Sequence, residues 1–295
     1  MTNPRRRGNG RDATDRDLRT HTAKKSLGQN FLVDPNTQRA IANAIQPGPE
    51  DEVLEIGPGR GALTQYLAGQ VRHLILVELD NRLAATLATR FADDPSVSVI
   101  HGDFLDIDLD SVAKSVDDLK VIGNIPYNIT SPIIFHLLER RPRPREIVLM
   151  VQREVADRIL AEVGGRAYGA LAVGVRLVAD VERVLNVGRG AFRPAPDVDS
   201  TVIRVVPHHP PRFTADVEAA VRDLTRATFG QRRKQLRRIL RDASELTPDA
   251  IDEIAAEVGF DPRDRPETLT PEAFASLARA LLARGAAVDR AGRRD

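Results

Sequence analysis

Between residues 52 and 151 the chain alternates short apolar runs with amphipathic stretches, and that alternation leaves few folds open to it. EVLEI (52–56), HLILVEL (73–79), VSVIHGD (97–103), LKVIG (119–123) and EIVLMV (146–151) each read as a buried strand. Between them, ALTQYLAG (62–69) reads as a helix. NRLAATLATRF (81–91) reads as another, with positions 83, 87 and 91 on one apolar face, and SPIIFHLLER (131–140) as a third, with Pro132 tolerated in its first turn. Strands separated by helices run parallel, because a parallel return needs a crossover, and the crossovers cover both faces of the sheet. The expected class is therefore α/β. Two more strand-like runs, AVGVRLVADVERVLNV (172–187) and STVIRVV (200–206), have no helix between them and predict an antiparallel edge.

After PHHPP (207–211) the strands stop. DVEAAVRDLTRATF and RRKQLRRIL read as helices flanking Gly230. TPDAIDEIAAEVG and TPEAFASLARALLARG both start Thr-Pro-acid, which combines a cap, a proline suited to the first helical position and a charge favoured by the helix dipole. The expected organisation is a disordered basic tail over 1–20, an α/β domain over 21–207, a small helical domain over 212–285 and a second disordered tail over 286–295. No repeat or low-complexity segment interrupts this. No apolar run approaches the ~18 residues of a membrane-spanning helix. The arginines near the start are not followed by an apolar stretch, so neither a secretory signal nor a membrane role is expected. The chain has no cysteine, which removes disulfides, thiol nucleophiles and thiolate metal sites and fits a cytoplasmic location. Its six histidines are not spaced for zinc, so no metal is assigned.

Net charge is only +1, but it is unevenly spread. Residues 1–25 carry eight Lys/Arg against three Asp, and residues 220–241 carry eight against one Asp. Basic segments in a near-neutral protein point to phosphate contacts.

The loop GPGRG (57–61) follows the first buried strand directly. Glycines at Gly57 and Gly59 let backbone approach a ligand, and the helix that follows is expected to offer its N-terminal amides. Glu78 ends the next strand, roughly 20 residues on, where a carboxylate can accept both hydroxyls of a ribose. The spacing G-x-G-x-G, rather than G-x-G-x-x-G, tilts away from a dinucleotide. Asp103, at the end of the third strand, can accept a hydrogen bond from an adenine amino group. Taken singly, each acid reads as a surface residue. Three consecutive strand ends that open on one crevice make the joint case for an adenosine without phosphates. S-adenosylmethionine fits such a crevice.

GNIPYN (123–128) ends the fourth strand on the same edge. An exocyclic adenine amine is a poor nucleophile because its lone pair is delocalised into the ring. If its two hydrogens donate to the Asn124 side-chain oxygen and to the Ile125 carbonyl, the lone pair is left facing a methyl donor. Pro126 fixes the direction of that carbonyl. Tyr127 can stack on the base, an interaction worth about 1–3 kcal/mol in single-stranded nucleic-acid sites.

LGQNFL (27–32), LEIGPGRGALT (54–64), VELD (77–80), GNIPYNITSPIIFHLL (123–138) and FRPAPDVDSTVIRV (192–205) together resemble the KsgA/RsmA family of small-subunit (16S) ribosomal RNA adenine N6,N6-dimethyltransferases. The resemblance runs from about residue 21 to about 284. It implies a Rossmann-like S-adenosylmethionine-dependent methyltransferase domain with a mainly parallel sheet and a small C-terminal α-helical domain. It further implies that Asn30 and Leu32 close over the cofactor, that Gly57, Glu78, Asp103 and Asn124 bind it, and that Phe192 packs the target base from the side opposite Tyr127. The implied partner is small-subunit rRNA within a 30S-type particle, near its 3′ end. Arg232, Arg233, Lys234 and Arg237 are then the expected phosphate contacts, and a monomer is expected. Two alternatives remain open at this level: a 23S rRNA methyltransferase of the macrolide-resistance group, which shares the catalytic domain, and an assembly factor acting mainly by binding.

Overall fold

The computed structural model describes residues 17, 18, 20–24, 28–244 and 246–286. Most of the two tails expected to be disordered, 1–16 and 287–295, lies outside the described residues. Where the first tail is described, the expectation needs correcting. Asp17 and Leu18 are helical, and Leu18 is 2% exposed within the apolar core. One leucine in a polar stretch carries no period, so the surface that buries it is the only signal.

The strands are β1 (Phe31–Leu32), β2 (Glu52–Ile56), β3 (His73–Glu78), β4 (Val97–His101), β5 (Lys120–Asn124), β6 (Glu146–Gln152), β7 (Ala179–Val187), β8 (Phe192–Arg193) and β9 (Ser200–Pro207). Seven of them form one sheet in the order β4-β3-β2-β5-β6-β9-β7. The pairs among β4, β3, β2, β5 and β6 are all parallel. β9 pairs antiparallel with β6, from Ile147 opposite Val205 to Gln152 opposite Ser200. The remaining two strands form a separate ribbon, with Phe31 opposite Arg193 and Leu32 opposite Phe192.

The chain divides into two compact units, Met1–Arg153 with Glu182–Val206, and Glu154–Val181 with Pro207–Asp295. In the first, helices Pro35–Ala44, Asn81–Arg90 and Thr130–Glu139 are amphipathic or buried. Leu83 and Leu87 are buried as their spacing requires. The helix expected over 62–69 shrinks to Thr64–Leu67, because Ala68 leaves the helical region at ψ 127.

The second unit takes more chain than the expected 212–285. The run 172–187 is not one strand: its first part lies in the helix Ala170–Arg176, and β7 begins only at Ala179. A dense apolar stretch reads equally well at either period, and burial decides. Tyr168 is fully buried, edge-on to Phe229 with ring centroids 6.0 Å apart, and donates its hydroxyl to the Leu269 carbonyl at 2.9 Å. Phe229 in turn lies 5.7 Å from Phe274. These contacts draw 154–181 into the helical unit. Thr247 and Thr270 cap their helices as expected, accepting from the N–H groups of Ala250 and Ala273 at 3.2 and 3.1 Å.

Candidate active site

From β2 the chain winds outward through β3 to β4, then returns to the other side of β2 as β5. The reversal between β2 and β5 is where parallel sheets leave a crevice beyond their C-terminal ends. A cavity lies there, and Gly57, Gly59, Glu78, Asp103 and Asn124 line it. So do Asn30, Leu32, Ile125, Pro126 and Tyr127.

The glycine loop has a steric cause. Gly57 and Gly59 sit at φ +63° and +57°, where a side chain is strained. A Cβ on Gly59 would also stand 3.4 Å from the Phe31 ring. The Gly59 N–H donates to Glu78 Oε2 at 2.9 Å, and the Asp80 N–H donates to Oε1 at 2.8 Å. Glu78 is thus held in one orientation by backbone alone, with further acceptor capacity on both oxygens. The helix expected to present its amides begins only at Thr64 and has four residues, so the amide that acts here comes from the turn.

Asp103 accepts from the Leu105 N–H at 3.0 Å and caps a short 3₁₀ turn that places Phe104 beside it. Phe104 packs edge-on to His136, with centroids 5.4 Å apart. Among the described residues the second oxygen of Asp103 makes no hydrogen bond. An acceptor beside an apolar ring suits a flat base with an amino group.

Asn124 is the last residue of β5, paired with Met150. Its Nδ2 donates to the Asn30 carbonyl at 3.3 Å, and its Oδ1 has no partner among the described residues. Pro126, at φ −55° and ψ 133°, leads into the turn Tyr127–Ile129. The Tyr127 hydroxyl shares a hydrogen bond of 2.7 Å with Ser200 Oγ, and burial pushes its pKa up.

Phe192 is the exception. It is 1% exposed, belongs to the apolar core, and does not line the cavity. Its place opposite Leu32 in the β1–β8 ribbon turns the ring into that core. A ring packed on all sides offers no face to a base, so the base-packing role expected of Phe192 does not hold in this structure.

Two acids escaped sequence reading. Glu55 looks like part of an apolar strand, yet it is 1% exposed, lines the cavity and accepts from Thr64 Oγ1 at 2.7 Å. Burial, aided by the neighbouring Glu78 charge, pushes its carboxyl up to about 8 against the Thr64 hydrogen bond. Burial also raises Glu78, while the Asp80 and Gly59 N–H groups pull it back. Neither acid pairs with Lys, Arg or His among the described residues. Two buried carboxyls without a cation leave a phosphate no counter-charge and suit a ligand that has no phosphate and brings hydroxyls. S-adenosylmethionine meets both requirements. The other acid, Asp80, stands just beyond the lining; its buried side chain takes partners from a distant part of the chain. The only sequence signal for either was an acid inside or just after an apolar run.

In the second unit, Arg233 is exposed and makes no ion pair among the described residues. Arg232 donates to the Arg166 carbonyl at 3.0 Å, Lys234 lies 3.8 Å from Asp242, and Arg237 bonds Asp252 at 2.5 Å.

A family model described as ribosomal RNA adenine dimethylase matches residues 20–281. A protein of Geobacter metallireducens named Ribosomal RNA small subunit methyltransferase A is 43% identical over 266 residues, covering 89% of this chain and 97% of that protein. A protein of the same name from Moorella thermoacetica is also 43% identical over 266 residues, 88% of this chain and 92% of its own length. Among solved structures, a dimethyladenosine transferase from Plasmodium falciparum superposes with a TM-score of 0.77 at 27% identity, over 88% of this chain and 99% of that one. The 23S rRNA methyltransferase ErmE gives 0.66 at 26% identity, over 85% and 99%.

Proposed function

The chain belongs to the ribosomal RNA adenine dimethylase family, and from that premise we propose that it dimethylates N6 of two adjacent adenosines near the 3′ end of 16S rRNA, within a 30S-type particle. S-adenosylmethionine, when bound, supplies a methyl group already activated by its sulfonium. The chain's own task is to hold and aim. Glu78 accepts the ribose hydroxyls, Asp103 accepts from the adenine of the cofactor, and Asn30 and Leu32 cover the cavity mouth.

The target adenine leaves its stack to enter the cavity, a step that costs a few kcal/mol. Asn124 Oδ1 and the Ile125 carbonyl accept the two N6 hydrogens, and Pro126 keeps that carbonyl in place. Tyr127 offers its ring to the base. Each methyl gained by N6 would replace one hydrogen, whose proton leaves past the Asn124 and Ile125 acceptors while the sulfonium would depart as a neutral thioether; in the second transfer a single hydrogen remains for those two acceptors. Exclusion of water and orientation supply most of the rate. Arg232, Arg233, Lys234 and Arg237 contact rRNA phosphates and orient the substrate. The protein works as a cytoplasmic monomer in ribosome biogenesis.

The observation that carries this reading is the Asn124 oxygen at the cavity, unpartnered among the described residues, with its amide nitrogen already committed to Asn30. A large-subunit reading has the ErmE likeness in its favour, but the curated relatives at 43% identity are small-subunit enzymes. Incubation of the protein with unmethylated small or large subunits and labelled cofactor, followed by mass spectrometry of the rRNA, decides between them. Dimethyladenosine in the small subunit alone is expected. Label confined to the large subunit would overturn the assignment.

A further inference from the structure

We propose that Asp80 is a positioning residue for the cofactor: it clasps Lys24 and Gln29 to the end of β3 and so holds the mouth of the cavity in shape. The proposal rests on the cofactor reading above and names residues beyond it.

Asp80 uses its two oxygens for different tasks. Oδ1 caps the helix Asn81–Arg90, accepting from the N–H groups of Arg82 and Leu83 at 3.0 and 3.5 Å. Oδ2 faces a segment more than fifty residues away in sequence: Lys24 Nζ at 2.8 Å, Gln29 Nε2 at 3.5 Å and His21 Nε2 at 3.4 Å. A helix cap needs only the first set. The side chain is 0% exposed, so its charge is stabilised by Lys24 and the N–H donors rather than by water, while His21 Nε2 stands near without making a hydrogen bond. Burial pushes the carboxyl up, yet the bonds from Lys24, Arg82 and Leu83 outweigh that and leave it below the usual carboxylate range.

Lys24 and Gln29 are also joined to each other, and His21 is fastened to the glycine loop. The Lys24 N–H donates to Gln29 Oε1 at 2.9 Å. Arg60, inside the glycine loop, donates to the His21 carbonyl and stacks its guanidinium over Phe31 at 4.1 Å. His21 meets the same ring edge-on at 6.2 Å. Gln29, Asn30, Phe31 and Arg60 all line the cavity. The backbone N–H of Asp80 also pins Glu78 at 2.8 Å. One residue therefore couples the acid assigned to the ribose with the segment that covers it.

Lys24→Met removes the charged arm of the clasp without touching the helix cap, and Lys24→Arg keeps the charge. Affinity for S-adenosylhomocysteine is measured by titration calorimetry, without RNA, on both variants and on the unaltered chain. The ammonium is partly solvated, so the expected loss in Lys24→Met is about five- to tenfold, with Lys24→Arg within about twofold of the unaltered chain. Hydrogen exchange of the Asn30–Leu32 amides should quicken in Lys24→Met, the KM for cofactor should rise more than kcat falls, and the thermal midpoint should barely move. Equal affinity and equal exchange in Lys24→Met would overturn the clasp. If the unaltered chain itself binds no S-adenosylhomocysteine, the cofactor reading fails instead, and the clasp with it.

Discussion

The side chain of Asn124 is tied to the backbone of Asn30, 94 residues earlier, by a 3.3 Å hydrogen bond from Nδ2 to the carbonyl oxygen. The bond joins the N-I-P-Y turn to the Q-N-F-L segment across the cavity. It also fixes which way the amide faces. With the nitrogen engaged, the oxygen is the atom left for a substrate amine.

Asn124→Ala should lower methyl transfer by about a thousandfold or more, because both the acceptor and the orientation of the amine are lost. Cofactor affinity should stay within about tenfold, since Glu78, Asp103 and the glycine loop remain. Single-turnover transfer with labelled cofactor, beside calorimetry with S-adenosylhomocysteine, separates the two quantities. Full activity in the variant would remove the amide from the mechanism.

Gly59→Ala tests the loop. The added Cβ would meet the Phe31 ring at 3.4 Å, in a backbone conformation of φ +57° that alanine resists. A stability loss of about 1 kcal/mol or more is expected in denaturant titration, together with weaker cofactor binding, because a shifted loop moves the Gly59 N–H, one of the two backbone donors that hold Glu78.

Tyr127 separates ring from hydroxyl. Tyr127→Phe loses the 2.7 Å bond to Ser200, at a cost of about 1 kcal/mol in stability, and should keep most activity. Tyr127→Ala removes the face offered to the base and should raise KM for RNA by roughly tenfold or more. Equal KM values in the two variants would argue against stacking.

Glu55 makes stability depend on pH in a particular direction. A carboxyl raised from 4.5 to about 8 binds more protons when folded than when unfolded across that window. Stability from this group is therefore complete at acid pH and declines as pH climbs through the window. Glu55→Gln should flatten the decline and leave the variant more stable than the unaltered chain near pH 8, by on the order of 2–4 kcal/mol. Urea titrations at pH 5 and pH 8 measure it. A difference that does not grow with pH would show that the acid is ionised throughout.

RNA affinity should fall steeply with added salt, because phosphate contacts release counterions. Arg233 makes no ion pair among the described residues, whereas Arg237 is held by Asp252 at 2.5 Å. Arg233→Ala should reduce the log–log salt slope by about one, and Arg237→Ala by less. Filter binding over a salt series gives both slopes, and identical slopes in all three proteins would clear these residues of phosphate contact.

Alternation and local spacing were enough to set the strands β2 to β6 within a residue or two, the helices Asn81–Arg90 and Thr130–Glu139, and the two Thr-Pro helix starts. They were enough also to put Gly57, Glu78, Asp103 and Asn124 at successive strand ends, because parallel strands deliver those ends to one edge. Such signals are short-range: period, cap and turn chemistry act within a few residues and are written there. What the neighbours of a side chain will be is not written there. Phe192 went to the core and Glu55 to the cavity, Leu18 was buried out of a polar tail, and 154–181 joined the helical unit through Tyr168. Each of these depends on burial against residues far along the chain, and burial is a property of the packed molecule that no local pattern carries.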